Sequence, residues 1–314
     1  VSILAYFGAL LKGAVRRRGV MAVINDAIIL AGGSGTRMLP ASLYMPKETL
    51  PLVDTPIINH LIWEVAKAGV SRVHIVLSQR KKDILNEFLE NEIIHQPRVR
   101  ADLPRESLRL GLDGVSVIPH IQETPGGVAD AISTAIGQID GPFLVLLGDM
   151  LLLDKHVGPK HSGPELASGA SSRLVSMFEE TGLPNVGICP VESDEVSKFG
   201  VVDLSDEMVI EIIEKPSEEE APSEYVLCGR YIMPENTHEI LEHYPVSEFG
   251  EMQSIQLLNH LVNNEGLQAV KLDQMKMYDS GDPLAWLKSQ IDHGLERSDI
   301  GPSLEDWIRK RIGN

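Results

Sequence analysis

Asp26-Ala27-Ile28-Ile29-Leu30-Ala31-Gly32-Gly33-Ser34-Gly35-Thr36-Arg37-Met38-Leu39-Pro40, followed closely by Met45-Pro46-Lys47-Glu48-Thr49-Leu50-Pro51-Leu52, is the stretch on which the fold is decided. The apolar run Ala27 to Ala31 predicts a buried strand, and the small residues after it predict a turn in which backbone lies close to a ligand. Gly32, Gly33 and Gly35 leave main-chain N–H groups open to anionic oxygens, while Arg37 and Lys47 bring the positive charge that a triphosphate requires. A glycine turn without a ligand would account for the glycines but not for the two cations beside them.

Three better-known loops do not fit. A dinucleotide fingerprint places a third glycine three positions after its second, and counting from Gly33 and Gly35 that position holds Met38. A Walker loop ends in Gly-Lys-Ser/Thr, whereas Gly35 is followed by Thr36-Arg37. A nucleophile elbow around Ser34 would need glycine where Thr36 stands.

Outward from this loop, short apolar runs alternate with helical periodicity. Ile57, Ile58, Leu61, Ile62, Val65 and Ala66 share one helix face that stops near Gly69; Val73 to Leu77 reads as a strand and Asp83 to Leu89 as a helix. After an irregular excursion over 93–114, Val115 to Pro119 resumes as a strand, Val128 to Ile139 as a helix and Phe143 to Leu147 as a core strand. This succession predicts an α/β fold: a Rossmann-like, mainly parallel (mixed) central sheet with helices on both faces and ligands at the carboxyl ends of its strands. The second half carries the β-like runs Leu174 to Phe178, Gly187 to Val191, Gly200 to Leu204, Val209 to Ile213 and Val226 to Met233, which predict an added β-rich lobe. Helices are expected around His238 to His243, Met252 to Val262, Pro283 to His293 and Leu304 to Ile312.

A chain of 314 residues with 43% hydrophobic content can bury a full core. Its 45 acidic against 28 basic residues give a net charge of −17, which disfavours nucleic acid and anionic membrane as partners; a high-salt habitat is a second reading of the same excess. Cys189 and Cys228 lie in apolar strand-like runs, as reduced thiols of a cytoplasmic protein would, although a disulfide stays open. The ten histidines show no zinc-type spacing. Residues 1–20 pair an apolar stretch too short for a membrane span with Lys12, Arg16, Arg17 and Arg18; the order is wrong for a signal peptide. They read as an extension outside the fold, or else as a short amphipathic helix for a membrane surface or a subunit contact.

With these residues in view, the loop resembles the signature of the sugar-1-phosphate nucleotidylyltransferases, and most closely that of the bacterial and archaeal glucose-1-phosphate uridylyltransferases. The likeness runs from about Asp26 to about Leu287. It implies an N-terminal extension over 1–24, a nucleotidylyltransferase domain over 25–295 and a C-terminal helix over 296–314. The nucleotide-binding half of that domain spans about 25–150 and the sugar-binding half about 151–295. It further implies that Ala31, Gly32, Gly33, Gly35 and Thr36 bind the nucleotide, that Arg37 and Lys47 are catalytic, and that Gln122 and Gly127 of Gln122-Glu123-Thr124-Pro125-Gly126-Gly127 contact the pyrimidine. Asp149, at the end of the run Phe143 to Leu147, would bind nucleotide and metal, and Asp279 would share the Mg²⁺ with it. The alternative for either aspartate is that it merely caps a turn. On the sugar side the resemblance implies backbone contacts from Gly200 and Gly229, hydroxyl contacts from Glu214, and a phosphate grip from Lys215, which is also counted as catalytic. Glu251 is a candidate near the sugar, and Gln256, where relatives carry aspartate, receives no role. No hexapeptide β-helix repeat of the kind some relatives carry in a fused acetyltransferase is found at the C-terminus.

The implied activity joins UTP, or dTTP, to glucose 1-phosphate with Mg²⁺ as cofactor, in a cytoplasmic homodimer or homotetramer with no nucleic-acid partner and no membrane span. The loop Gln122 to Ala129 is closer to the thymidylyltransferase version through Pro125 and Ala129, so both pyrimidines stay open. The rivals are a catalytically idle paralogue that binds nucleotide sugar and regulates a partner enzyme, and a dinucleotide-dependent oxidoreductase. Arg37, Lys47, Asp149, Lys215 and Asp279 are all present, which opposes the idle reading, and the missing third glycine opposes the oxidoreductase.

Overall fold

The computed structural model describes residues 23–82, 114–124, 126–154, 167–243 and 254–313. The expected helix Asp83 to Leu89, most of the excursion over 93–114, residues 1–20, Pro125 and Glu251 lie outside the described residues. In chain order the first half runs β1 (Asp26–Ala31), α1 (Ala41–Tyr44), β2 (Pro51–Leu52), β3 (Thr55–Pro56), α2 (Ile57–Lys67), β4 (Arg72–Ser78), β5 (Ser116–Gln122), α3 (Gly127–Ile136), β6 (Phe143–Leu147) and β7 (Met150–Leu153). The second runs α4 (Ala170–Thr181), β8 (Asn185–Pro190), β9 (Gly200–Ser205), β10 (Met208–Glu214), β11 (Tyr225–Met233), α5 (Thr237–Glu242), α6 (Ser254–Asn264), β12 (Gln268–Lys271), β13 (Lys276–Asp279), α7 (Pro283–Glu296) and α8 (Gly301–Ile312).

A single mixed sheet carries the strands in the order β5-β4-β1-β6-β11-β8-β12-β10-β9. Its first four members are parallel, with Ile28 level with His74 on β4 and Val145 on β6. From β11 onward most pairings are antiparallel, so the β-rich second half extends the same sheet. Alternation along β1 sends Ala27, Ile29 and Ala31 to a core with the α2 residues Ile57, Ile58, Leu61 and Ile62, and sends Ile28 to a core with Ala131, Ile132 and Ala135 of α3. Helices on both faces explain why this strand is apolar throughout instead of alternating. Among the described residues no helix is long and apolar enough to cross a membrane. Cys189 and Cys228 are buried and free.

One expected strand is wrong. Leu174 to Phe178 lies inside helix α4, which buries Ala170, Ser171, Leu174, Val175 and Phe178 and closes at Gly182 with φ 68°. The buried spacing of three and four is helical, and the left-handed glycine is the usual helix stop; the apolar run read alone concealed both.

The two halves are joined at depth by Glu64 on α2 and Arg230 on β11. The Arg230 Nε and Nη2 donate to the two Glu64 carboxylate oxygens at 2.7 and 2.9 Å, and Nη2 also reaches the Met150 carbonyl at 3.0 Å. Nη1 donates to the Gly229 carbonyl at 3.1 Å, and Ser171 Oγ donates to Glu64 Oε1. Burial pulls the guanidinium pKa down, but the facing carboxylate more than offsets this and holds it above its usual value. Removing one member of such a pair leaves a buried charge unmatched. Glu64→Gln should therefore lower unfolding stability by about 3–5 kcal/mol, read by denaturant titration; a loss below ~1 kcal/mol would show that the pair does not bind the halves together.

Candidate active site

The glycine turn follows β1 directly, and Gly35 turns with φ 67° into the short 3₁₀ turn Thr36–Met38. A Cβ on Gly33 would stand 3.6 Å from Lys47 Nζ, one on Gly32 2.8 Å from Gln122 Oε1, and one on Gly35 3.2 Å from Ser42 Cβ. The turn is thus lined by a lysine on one side and an amide on the other. Lys47 opens the 3₁₀ turn Lys47–Thr49 and donates to Asp149 Oδ2. Burial lowers its pKa, but the attraction of Asp149 and Glu48 outweighs that and raises it, so the ammonium stays charged. Arg37, largely exposed, holds Asp279 with Nη1 3.5 Å from Oδ2.

Asp149 reaches the loop because β1 and β6 end close together. The Gly148 N–H donates to the Leu30 carbonyl at 2.9 Å, and a Cβ there would come within 2.6 Å of that same oxygen. Asp279 arrives from far along the chain through β13, which pairs antiparallel with β7 so that Asp279 faces Met150. Ser280 fastens the join, donating from N and Oγ to the Asp149 carbonyl at 2.9 Å each. The carboxylates close tightly around Gly281, leaving less than the room of a methyl group: a Cβ built there would be 2.7 Å from Arg37 Nη2, 3.0 Å from Asp279 Oδ1 and 3.2 Å from Asp149 Oδ2. Among the described residues no group of three or more His, Cys, Asp or Glu is arranged for a metal, so an ion here would take its remaining ligands from phosphate and water.

Sequence reasoning missed Gly148 and Gly281, although each sits beside an aspartate it singled out. It also missed the buried pair under the loop, where Lys81 Nζ donates to Glu48 Oε2 at 2.8 Å and to the Ala31 carbonyl at 2.6 Å. Burial pushes Glu48 up and Lys81 down. A lysine in Gln79-Arg80-Lys81 next to a strand end carries no sequence signal that it turns inward.

Gln122 closes β5 and is buried, its Nε2 donating to Asp130 Oδ2 at 2.6 Å and to the Gly127 carbonyl at 3.4 Å. The sugar-side candidates form a second group. Gly200 and Glu214 are register partners on β9 and β10, and a Cβ on Gly200 would lie 3.2 Å from Glu214 Oε2. Lys215 follows with φ 47°, a left-handed backbone unusual for a lysine, its N–H bonded to the Phe199 carbonyl at 2.9 Å and its Nζ 3.7 Å from Glu214 Oε1. Gly229 lies at an irregularity of β11 with φ 73°, against Leu147. Among the described residues no hydrogen bond or ion pair links Lys215 or Glu214 to the group around Asp149; β11 and β6 connect them.

The crowding around Gly281 makes a direct test. Gly281→Ala should keep the fold, since Arg37 can swing aside, yet lower turnover at least about tenfold by wedging a methyl against Arg37 and the two carboxylates and displacing them; circular dichroism and pyrophosphate release check both, and full activity would show that the close approach of these groups is not used.

A family model described as nucleotidyl transferase matches residues 26–291. A UTP–glucose-1-phosphate uridylyltransferase from Staphylococcus epidermidis is 31% identical over 301 residues, covering 92% of this chain and 99% of its own. Among solved structures, a UTP-bound UGPase from Acinetobacter baumannii is 28% identical with a TM-score of 0.77, covering 91% of this chain and 99% of that one. A UDP-glucose pyrophosphorylase complexed with UDP-glucose is 26% identical with a TM-score of 0.73, covering 88% of this chain and 100% of that one. A cation-lined glycine turn facing two aspartates, on a sheet shared with these enzymes, agrees with the match along the sequence: the chain belongs to the nucleotidyl transferase family.

Proposed function

We propose that the protein transfers the uridylyl group of UTP to glucose 1-phosphate, giving UDP-glucose and pyrophosphate. The observation that carries this reading is the meeting of Arg37, Lys47, Asp149 and Asp279 around one small space beside the glycine turn. The names of relatives that cover nearly the whole chain, with UTP or UDP-glucose bound in solved structures, support it.

An oxygen of the sugar phosphate attacks the α-phosphorus in line, the bond to the β-phosphate oxygen breaks, and pyrophosphate leaves with the electron pair. Two polyanions must approach each other, so the protein's work is positioning and charge neutralisation. The N–H groups of Gly32, Gly33 and Gly35, with Ala31 and Thr36 at the edges of the turn, cradle the triphosphate. Arg37 grips two phosphoryl oxygens with its planar fork, and Lys47 adds a fixed positive charge. Gln122 and Gly127 meet the base. Lys215 holds the phosphate of the nucleophile, with Glu214, Gly200 and Gly229 around the sugar.

The residues fit a divalent ion: two carboxylates face the gap beside Gly281, and Mg²⁺ favours few carboxylates together with phosphate and water oxygens. Asp149 and Asp279 would hold it, and when bound it would supply charge neutralisation between the substrates. The regulatory reading loses ground because the cation and carboxylate set is complete.

Pyrophosphate release over a grid of nucleoside triphosphates and hexose 1-phosphates tests the activity. UTP with glucose 1-phosphate should be preferred, with dTTP within about 10²-fold because one methyl group discriminates weakly; ATP and GTP should be poorer than either, and a clear preference for a purine would overturn the reading. Asp149→Asn and Asp279→Asn should each lower turnover by about 10²-fold or more. Near-normal turnover in either variant would remove that residue from the site.

A further inference from the structure

The amide of Gln122 is not free to present either of its faces. Its Nε2 donates to Asp130 Oδ2 at 2.6 Å and to the Gly127 carbonyl at 3.4 Å, and both partners are acceptors. A carboxylate and a backbone carbonyl can receive N–H groups but have none to give, so a flipped amide would set its own oxygen against two others. These partners therefore decide the orientation. The remaining face, Oε1, points at the glycine turn, 2.8 Å from where a Gly32 Cβ would stand. Only an acceptor is left for a ligand lying there.

Asp130 is itself built into place. It stands in the first turn of α3, with a Cβ on Gly126 ruled out at 2.6 Å from its Cγ. Gly127 turns the chain with φ 90° and brings its carbonyl to the same Nε2. Gln122, Gly126, Gly127 and Asp130 thus form a unit in which Gly126 leaves room for the carboxylate, Gly127 adds its carbonyl, and the carboxylate fixes the amide.

We propose that Asp130 is a positioning residue that makes the site read uracil over cytosine, by locking Gln122 with its carbonyl toward the base. The inference rests on the UTP reading above. On its pairing edge uracil carries one donor, N3–H, which an acceptor satisfies. Cytosine carries a lone pair at N3, which would face the Gln122 oxygen unpaired; polar groups left buried without a partner are what reject a near-isosteric ligand strongly. Asparagine at this position would offer an N–H as well as a carbonyl, so the Gln122 amide could turn over and donate to cytosine N3.

The experiment compares kcat/KM for UTP and CTP, with glucose 1-phosphate, in the wild type, Asp130→Asn and Asp130→Ala, with a melting temperature for each. Asn keeps the shape packed against Gly126, and Ala removes the acceptor without adding bulk. The wild type should favour UTP by about 10²-fold or more, and the ratio should fall at least about tenfold in both variants. In Asp130→Asn the CTP value should rise in absolute terms, a gain that a merely weakened fold cannot produce. A UTP-to-CTP ratio unchanged within twofold, or an equal fall for both nucleotides, overturns the role of Asp130 and leaves the uridylyl activity standing. A wild type that uses CTP as readily as UTP overturns it as well. A wild type that releases no pyrophosphate from UTP with any hexose 1-phosphate sinks both readings together.

Discussion

The site depends on how closely β1 and β6 approach at their carboxyl ends. The Gly148 N–H sits on the Leu30 carbonyl, and a single added carbon there would strike that oxygen. Because nothing separates the strand ends, the glycine turn after β1 and the aspartate after β6 share one small volume. The rest of the architecture serves that proximity: β13 delivers Asp279 by pairing with β7, and Arg230 ties the Met150 and Gly229 carbonyls to Glu64 beneath it. Packing at depth and chemistry at the surface are therefore one construction, and the buried carboxylates Asp26, Glu48 and Glu64 each face an opposite charge on Arg72, Lys81 and Arg230.

The chain solves an electrostatic problem locally that its composition poses globally. A net charge of −17 would repel a triphosphate, yet the cleft gathers Arg37 and Lys47 within reach of the turn. Lys47 keeps its charge despite burial because Asp149 and Glu48 surround it, and Lys81 in turn balances Glu48. The cations are held by a small alternating lattice, which a count of charged residues cannot reveal.

What was legible in the chain follows from how local its cause is. The strands Ala27 to Ala31 and Phe143 to Leu147 announce themselves as short apolar runs and the helix on Ile57 to Ala66 by its period, and each is found within a residue or two of its expected bounds. Strands β7 and β13 escaped because four residues carry too little pattern, and their pairing spans more than a hundred positions. Leu174 to Phe178 was misread because five apolar-rich residues fit either period until the flanking Ala170 and Gly182 are counted. In the candidate site, the glycines and cations could be read from chemistry, while Asp149 and Asp279 needed the family likeness to be paired. Asp130, Glu48, Lys81 and Gly281 were invisible for one reason: each acts through a neighbour that only the fold supplies.

Arg37 and Lys47 already have carboxylate partners, Asp279 and Asp149. A triphosphate entering this cleft would not meet bare cations stripped of water. It would displace one oxygen anion with another, and the aspartates so released would be free to turn toward the gap beside Gly281. Binding of this kind is in part an exchange of counterions inside the protein: for Lys47, the more buried of the two cations, much of the cost of dehydration was met when the chain folded. The Lys47 part of such a cleft's affinity depends less on the surrounding salt than that of an open basic groove, because the competing Asp149 is tethered to the backbone and its effective concentration does not change with the buffer.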